Sequence, residues 1–258
     1  MSLSFEERKI TIIEALDREE KVQVRELASH LQVSDETIRR DLDRLEKEGI
    51  LKKVYGGAVK TKIHSWELPF DEKTTINRLE KRAICKAAAS LVENGDIIMI
   101  GNGTTPLDIV RYLEDKEDVT IITHSIPVML LAMEVFRGRV IFTGGEFERN
   151  QKYTSGPLTN VMLDMLKANK AFISAGGISI TSGITDYDIS GSSISRKMIE
   201  RAEDVIILAD YSKFGNTTFA HMCSLERASM VITDKSCPQE WKKVLSDKQI
   251  ELVIASEH

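Results

Sequence analysis

No stretch of the 258-residue chain is apolar for anything near the roughly 18 residues that a membrane-spanning helix requires. The opening segment, residues 2–13, interleaves acids and bases where a secretion signal would carry an unbroken apolar run. A cytoplasmic location, with no membrane partner, is the expectation. Cysteine is scarce: Cys85, Cys223 and Cys237 are odd in number and lack a CxxC spacing, so free thiols rather than disulfides are expected. His30, His64, His124, His221 and His258 never fall into an HxxxH or HExxH pattern, which argues against a metal centre. There is no internal repeat and no low-complexity tract. What is left, 42% hydrophobic and 29% charged residues, is the composition of an ordinary globular protein.

The formal net charge of −5 gives no general attraction to a polyanion, but the charge is unevenly placed. Residues 1–62 hold 13 basic and 13 acidic side chains, whereas the remainder holds 22 against 27. Residues 49–62 contain Lys52, Lys53, Lys60 and Lys62 and no acid, a local basic patch on a chain that is otherwise acidic.

Periodicity separates two regions. Ile10, Ile13 and Leu16 predict a helix from Phe5 to Asp17, Val22 to Val24 an extended piece, and Arg25 to Leu31 a second helix. After the turn Gln32-Val33, Ser34 stands where an N-cap belongs. A third helix is expected from Asp35 to Glu48, with Ile38, Leu42 and Leu45 as its buried stripe and Gly49 as its stop. Ile50–Tyr55 and Ala58–Lys60 then read as two short strands around Gly56-Gly57. Three helices followed by a hairpin make a winged helix-turn-helix domain at residues 1–60. Residues 61–77, with Trp66, Pro69 and Phe70, show no period and read as a partly packed linker.

Residues 78–258 alternate helical and strand patterns. A helix over 78–93 precedes strand Asp96–Ile100, and a helix from Pro106 to Leu113 follows it. Further strands are expected at Val119–Thr123, Arg139–Phe142, Lys170–Ser174, Asp204–Leu208, Met230–Thr233 and Ile250–Ile254. Most are continuous apolar runs, which implies a sheet buried on both faces. The fold class is therefore α/β: an N-terminal winged helix-turn-helix domain plus an open, doubly wound, mostly parallel α/β effector domain.

A recognition helix needs an apolar stripe to fix it and small polar or basic groups on the opposite face to reach base edges and phosphates. Ile38, Leu42 and Leu45 supply the first; Ser34, Thr37, Arg39, Arg40 and Arg44 supply the second, with Lys53, Tyr55 and Gly56 on the wing. Periodicity alone also admits an amphipathic helix whose arginines pair with Asp35, Glu36, Asp41 and Asp43. The residues themselves decide further. Val33-Ser34, then Thr37-Ile38-Arg39-Arg40-Asp41-Leu42, Leu45-Glu46 and Tyr55-Gly56-Gly57-Ala58 closely resemble the DeoR family of bacterial transcriptional regulators. Glu67-Leu68-Pro69-Phe70, Gly101-Asn102-Gly103-Thr104-Thr105, Thr123-His124-Ser125, Thr143-Gly144-Gly145 and Ala209 to Gly215 extend the resemblance over nearly the whole chain. It implies a homodimer or higher homo-oligomer on double-stranded operator DNA, usually repressing sugar or nucleoside utilisation genes. A phosphorylated sugar effector would release it.

In the second region, Gly101, Asn102, Gly103, Thr104 and Thr105 follow a strand and precede Pro106, suited to a first helical position. Glycines let backbone approach an anion, and hydroxyls and free helix N–H groups donate to it. A plain tight turn is the alternative. A dinucleotide is a poorer fit, because Pro106 replaces the third glycine and Thr123-His124 stand where a ribose-binding acid belongs. No cofactor is expected. Asp210-Tyr211-Ser212-Lys213 ends another strand, and Lys213 there is a counter-charge for phosphate unless it is merely a surface lysine. With the Gly-Thr-Thr loop it resembles the phosphate-binding parts of ribose-5-phosphate isomerases.

That resemblance raises the alternative of a sugar-phosphate isomerase or deaminase, which needs a carboxylate to move a proton between carbons. Residues 188–197 contain no glutamate before Glu200, and Asp186 and Asp188 read as loop or helix-start residues, so no catalytic residue is assigned. The resemblance to the DeoR family implies an acidic residue near Gly191, where this chain has Gly191-Ser192-Ser193, a departure that bears on effector identity. Arg149, Lys152 and Tyr153 lie in a polar loop able to close over an anion or to stand solvated.

Overall fold

Ser4 and Glu7 begin the first helix reciprocally: Glu7 N–H donates to Ser4 Oγ at 3.3 Å, and Ser4 N–H donates to Glu7 Oε2 at 2.7 Å. The computed structural model describes residues 4–47, 50–60 and 67–256, and divides the chain into two units, Met1–Leu68 and Pro69–His258. In the first unit, α1 (Phe5–Glu19), β1 (Lys21–Gln23), α2 (Val24–Leu31), α3 (Asp35–Lys47), β2 (Leu51–Val54) and β3 (Gly57–Lys60) follow in order. Ile12 and Leu16 are the buried apolar side chains of α1, while Ile10 and Ile13 are only half buried, because a helix turns 3.6 residues and an i, i+3 stripe drifts off the core face. Ile38, Leu42 and Leu45 are fully buried, as their spacing requires, against Leu27, Ala28 and Leu31 of α2 and Leu51 of β2.

The extended piece before α2 does more than connect. β1 pairs antiparallel with β3, so the wing is a three-stranded sheet in the order β1-β3-β2. The pairing depends on Gly57: a Cβ there would lie 1.9 Å from the Val22 carbonyl oxygen. The stop assigned to Gly49 and the basic groups of Lys60 and Lys62 lie outside the described residues or side chains.

The second unit begins with α4 (Phe70–Lys73), α5 (Arg78–Ser90), β4 (Ile97–Ile100), β5 (Thr120–Thr123), α6 (Ile126–Val135) and β6 (Arg139–Phe142). It continues through β7 (Glu146–Glu148), β8 (Tyr153–Ser155), α7 (Pro157–Asp164), β9 (Ala168–Ser174), β10 (Gly177–Ser179), β11 (Gly183–Asp186) and α8 (Ile189–Arg201). The last elements are β12 (Ala202–Leu208), β13 (Ala220–Cys223), β14 (Met230–Thr233), α9 (Glu240–Asp247) and β15 (Glu251–Ile254). The seven strands expected from apolar runs form one seven-stranded sheet, order β15-β14-β12-β9-β4-β5-β6, with every pairing parallel. Its residues alternate between two cores: Met99, Ala171, Ile173, Val205 and Ile207 pack with α8 and α9, while Ile98, Ile100, Phe172, Ile206 and Leu208 pack with α5 and α6.

Three features depart from the expectations. The helix drawn from Pro106 to Leu113 is a 3-10 helix, Leu107–Tyr112. Two pieces were not foreseen: the β7–β8 hairpin and a small antiparallel sheet, β10-β11-β13, both too short for their alternation to show. The linker also divides. Residues 61–66 lie outside the described residues, but Pro69–Asn77 belong to the second unit. Phe70 is buried there, its N–H donates to the Asn150 carbonyl at 2.9 Å, and Asn77 Nδ2 donates to Asp210 Oδ1 at 3.1 Å.

The sheet's order fixes where a ligand fits. From β4 the chain steps outward through β5 and β6, and then from β9 outward the other way through β12, β14 and β15. The reversal leaves a crevice at the carboxyl ends of β4 and β9, the usual ligand position in open α/β sheets.

Candidate functional site

On the first unit, Ser34 Oγ accepts from Thr37 N–H at 3.1 Å and shares a hydrogen bond with Thr37 Oγ1 at 2.9 Å, so both residues cap α3. Arg39 and Arg40 are exposed. Arg40 pairs with Glu36 one turn earlier at 3.3 Å, while Arg39 makes no ion pair among the described residues. Arg44 lies over the Phe5 ring at 3.9 Å from its centroid, which ties it to α1. Lys53 is drawn towards α3: its ammonium pairs with Asp43 and its N–H donates to Glu46 Oε1 at 2.7 Å. At the wing tip Tyr55 is fully exposed and Gly56 takes φ +78°, with its carbonyl accepting from Val24 N–H at 2.9 Å. Arg39, Lys53, Tyr55 and Gly56 line one groove of about 520 Å³, joined by Arg25 and Asp35. Arg25 had no motif to mark it; the tertiary fold alone sets the start of α2 beside the wing turn.

On the second unit, the loop Gly101–Thr105 stands at the carboxyl end of β4, in the crevice where the strand order reverses. Ser174 at the end of β9 fastens it by donating from Oγ to the Asn102 carbonyl at 2.5 Å, and Gly101 N–H donates to Phe172 O at 2.9 Å. Gly103 adopts φ +125°, and a Cβ there would meet Ser174 Oγ at 2.5 Å. Thr105 is buried and its carbonyl accepts from Cys85 Sγ, leaving Thr104 to line a cavity of about 460 Å³ with Thr74, Thr75, Arg78, Lys81 and Asp108.

Lys81, which the sequence did not single out, is buried, with its ammonium donating to Lys73 O at 2.8 Å. Burial pushes it down to about 8; the charge of Asp210 opposes this, while Lys213 and Lys73 add to it. Asp210 is the focus of the cluster. It accepts from Ser212 N–H at 3.0 Å, Ser212 Oγ at 2.5 Å and Asn77 Nδ2 at 3.1 Å. Burial pushes the Asp210 carboxyl up, but Lys213 and Lys81, with the Ser212 hydrogen bonds, outweigh it and bring it below the ordinary carboxylate value. Asp210 thus attracts the charges of Lys213 and Lys81, and Lys81 lines the cavity with Thr104. Lys152 goes elsewhere: at φ +55° it pairs with Asp71 at 2.5 Å. Tyr153, its neighbour, is buried and donates to Asp188 Oδ2 at 3.0 Å. Asp188 also caps α8, accepting from Ser190 and Gly191 N–H at 2.7 and 3.0 Å, and Glu200 is exposed.

The comparisons with known proteins match this division. The DeoR-like helix-turn-helix domain matches residues 8–63 and the DeoR C-terminal sensor domain matches residues 76–235. The chain belongs to the DeoR family. It is 35% identical to the HTH-type transcriptional regulator YulB of Bacillus subtilis, over 95% of each chain. It is 32% identical to the lactose phosphotransferase system repressor of Staphylococcus epidermidis, over 91% of this chain and 94% of that one. Ribose 5-phosphate isomerase A of Methanocaldococcus jannaschii aligns over 54% of this chain and 55% of its own, at 21% identity and a TM-score of 0.41. The DeoR family and these curated relatives are DNA-binding transcriptional regulators, not enzymes. Among the described residues no helix is long and apolar enough to cross a membrane, and no group of three or more His, Cys, Asp or Glu could hold a metal ion.

Proposed function

We propose that this DeoR-family regulator is a repressor that binds operator DNA through α3 and the wing and is released by a phosphorylated sugar held on its second unit. The observation that carries the reading is buried Lys81 lining one cavity with Thr104 and Arg78, at the loop that leaves the crevice end of β4. Two ammonium groups and a hydroxyl beside a glycine loop suit a dianion, which a net-negative surface would otherwise repel. The similarity to the Staphylococcus lactose phosphotransferase system repressor supports a sugar as the remainder of the ligand. A two-fold dimer or higher oligomer follows from DNA geometry, since paired half-sites need paired recognition helices.

Arg39, exposed and lining the groove with Lys53, Tyr55 and Gly56, is assigned to base or phosphate contact. Arg39→Ala is expected to weaken operator binding by roughly 1–3 kcal/mol if it reads a base, or to reduce the salt slope if it meets a phosphate. Lys213→Ala is expected to leave operator binding intact and abolish release by ligand, both read in one mobility-shift titration with and without a sugar phosphate. Release of that variant at unchanged ligand concentration rules out the phosphate site.

A further inference from the structure

Buried polar groups in folded proteins are nearly always hydrogen-bonded. Yet among the described residues Asn102 Oδ1, both ring nitrogens of His124, Ser125 Oγ and Ser192 Oγ are sealed from solvent with no hydrogen-bond partner. They are not scattered. β4 and β5 pair in parallel with Ile100 opposite Thr123, and Thr123 Oγ1 donates to Ile100 O at 2.8 Å, so Gly101-Asn102 and His124-Ser125 leave the sheet side by side. The His124 ring meets the Tyr153 ring edge-on, centroids 5.7 Å apart, and Ser125 bridges to Tyr153 through the backbone. Tyr153 OH in turn reaches Asp188, and a Cβ on Gly191 would lie 3.4 Å from that hydroxyl, so the first turn of α8, in which Ser192 is buried, packs on Tyr153.

The chemistry of the cluster is neutral. Burial pushes the His124 imidazole down to about 4, so it stays uncharged and offers one donor and one acceptor. Serine hydroxyls do both, and the Asn102 carbonyl accepts. Of the carboxylates whose charge acts on Tyr153, Asp188 is committed to capping α8 and to Tyr153 OH, Asp186 accepts from Tyr187 N–H and Glu148 from Asn150 N–H. Gly191 adds no charge either.

We propose that Asn102, His124, Ser125 and Ser192 form a subsite for the uncharged hydroxyls of the effector's carbon chain, adjoining the Gly101–Thr105 loop on the same sheet edge. The site then selects a neutral polyol phosphate over an amino sugar phosphate or a phosphorylated sugar acid. This rests on the sugar-phosphate reading above. Because the four groups are closed to solvent, occupation requires the β7–β8 hairpin, which carries Tyr153, to move.

Calorimetric titration of the full chain with inorganic phosphate, glucose 6-phosphate, glucosamine 6-phosphate and 6-phosphogluconate tests it. The expected order places glucose 6-phosphate about 10-fold or more tighter than inorganic phosphate and than either charged analogue, the yield of one or two buried neutral hydrogen bonds. Ser192→Ala and His124→Phe should each lower that advantage by about 2- to 10-fold while inorganic phosphate binds as before. His124→Asn, which restores a donor and an acceptor, should recover part of it. Equal affinity for the three hexose derivatives, or an undiminished advantage of glucose 6-phosphate in both Ser192→Ala and His124→Phe, overturns the subsite and leaves the phosphate site standing. If the unaltered chain binds neither inorganic phosphate nor any of the sugar phosphates, the underlying reading falls as well.

Discussion

An ammonium group taken out of water loses hydration that only neighbouring opposite charge replaces, and Lys81 and Lys213 share one such neighbour, Asp210. Asp210→Asn leaves that charge uncompensated and is expected to cost roughly 3 kcal/mol in urea unfolding. Lys81 gives a pH signature of definite sign. Its native value, about 8, lies below the ordinary lysine value of 10.5. Between those two values the unfolded chain binds more protons than the native one, so the Lys81 contribution to stability rises with pH across that window; below it both states are protonated and the gain is absent. Lys81→Met should lack this rise when the two proteins are unfolded in urea at about pH 7.5 and about pH 9. Phosphate binding runs the opposite way, because it needs the ammonium form. Affinity for inorganic phosphate should fall by about 10-fold from about pH 7.5 to about pH 9 in the unaltered chain and stay flat in Lys81→Met.

At the scale of elements, the crevice works because a loop, a strand end and a helix start are held at fixed spacing. Gly103 is the tightest of these joints, its φ positive and its α-carbon backed against Ser174. Gly103→Ala must move the loop, at a strain of roughly 1–3 kcal/mol, and is expected to weaken phosphate binding while operator affinity stays unchanged. The β7–β8 hairpin is a second joint. Asn150 O and Lys152 on its turn hold Phe70 and Asp71 at the beginning of the sensor unit, while Tyr153 covers the neutral cluster. The hairpin movement proposed above would thereby reach the first residues of the second unit. Lys152→Ala is expected to bind effector normally by calorimetry but to need more of it to leave operator DNA in a mobility shift. Normal release by Lys152→Ala would show that the hairpin is a cover and carries no signal.

The whole molecule consists of two units with separate cores, one built on Ile12, Leu42 and Leu45 and the other on the two faces of the parallel sheet. Ligands that bind one native unit stabilise that unit, by about 2.7 kcal/mol at 100 times the dissociation constant. Calorimetric scans should therefore show a sugar phosphate raising the transition of the larger unit, and operator DNA raising that of the smaller. A single transition moved equally by both would mean that the units unfold as one. The sequence by itself determined the elements whose stabilising pattern is local: α3 with its Ser34 cap and Ile38/Leu42/Leu45 stripe, the wing at Gly56-Gly57, and the seven apolar strands, which can be buried only between two layers of helices. It also marked the Gly101–Thr105 loop and Lys213, whose chemistry is carried by adjacent residues. The tertiary structure alone decided that Lys81 is buried, that Arg25 joins the wing groove, that Lys152 and Arg44 are held by Asp71 and Phe5, and that His124 meets Tyr153. Each of those depends on side chains brought together from distant positions, and burial and electrostatic coupling exist only once the sheet order has placed them.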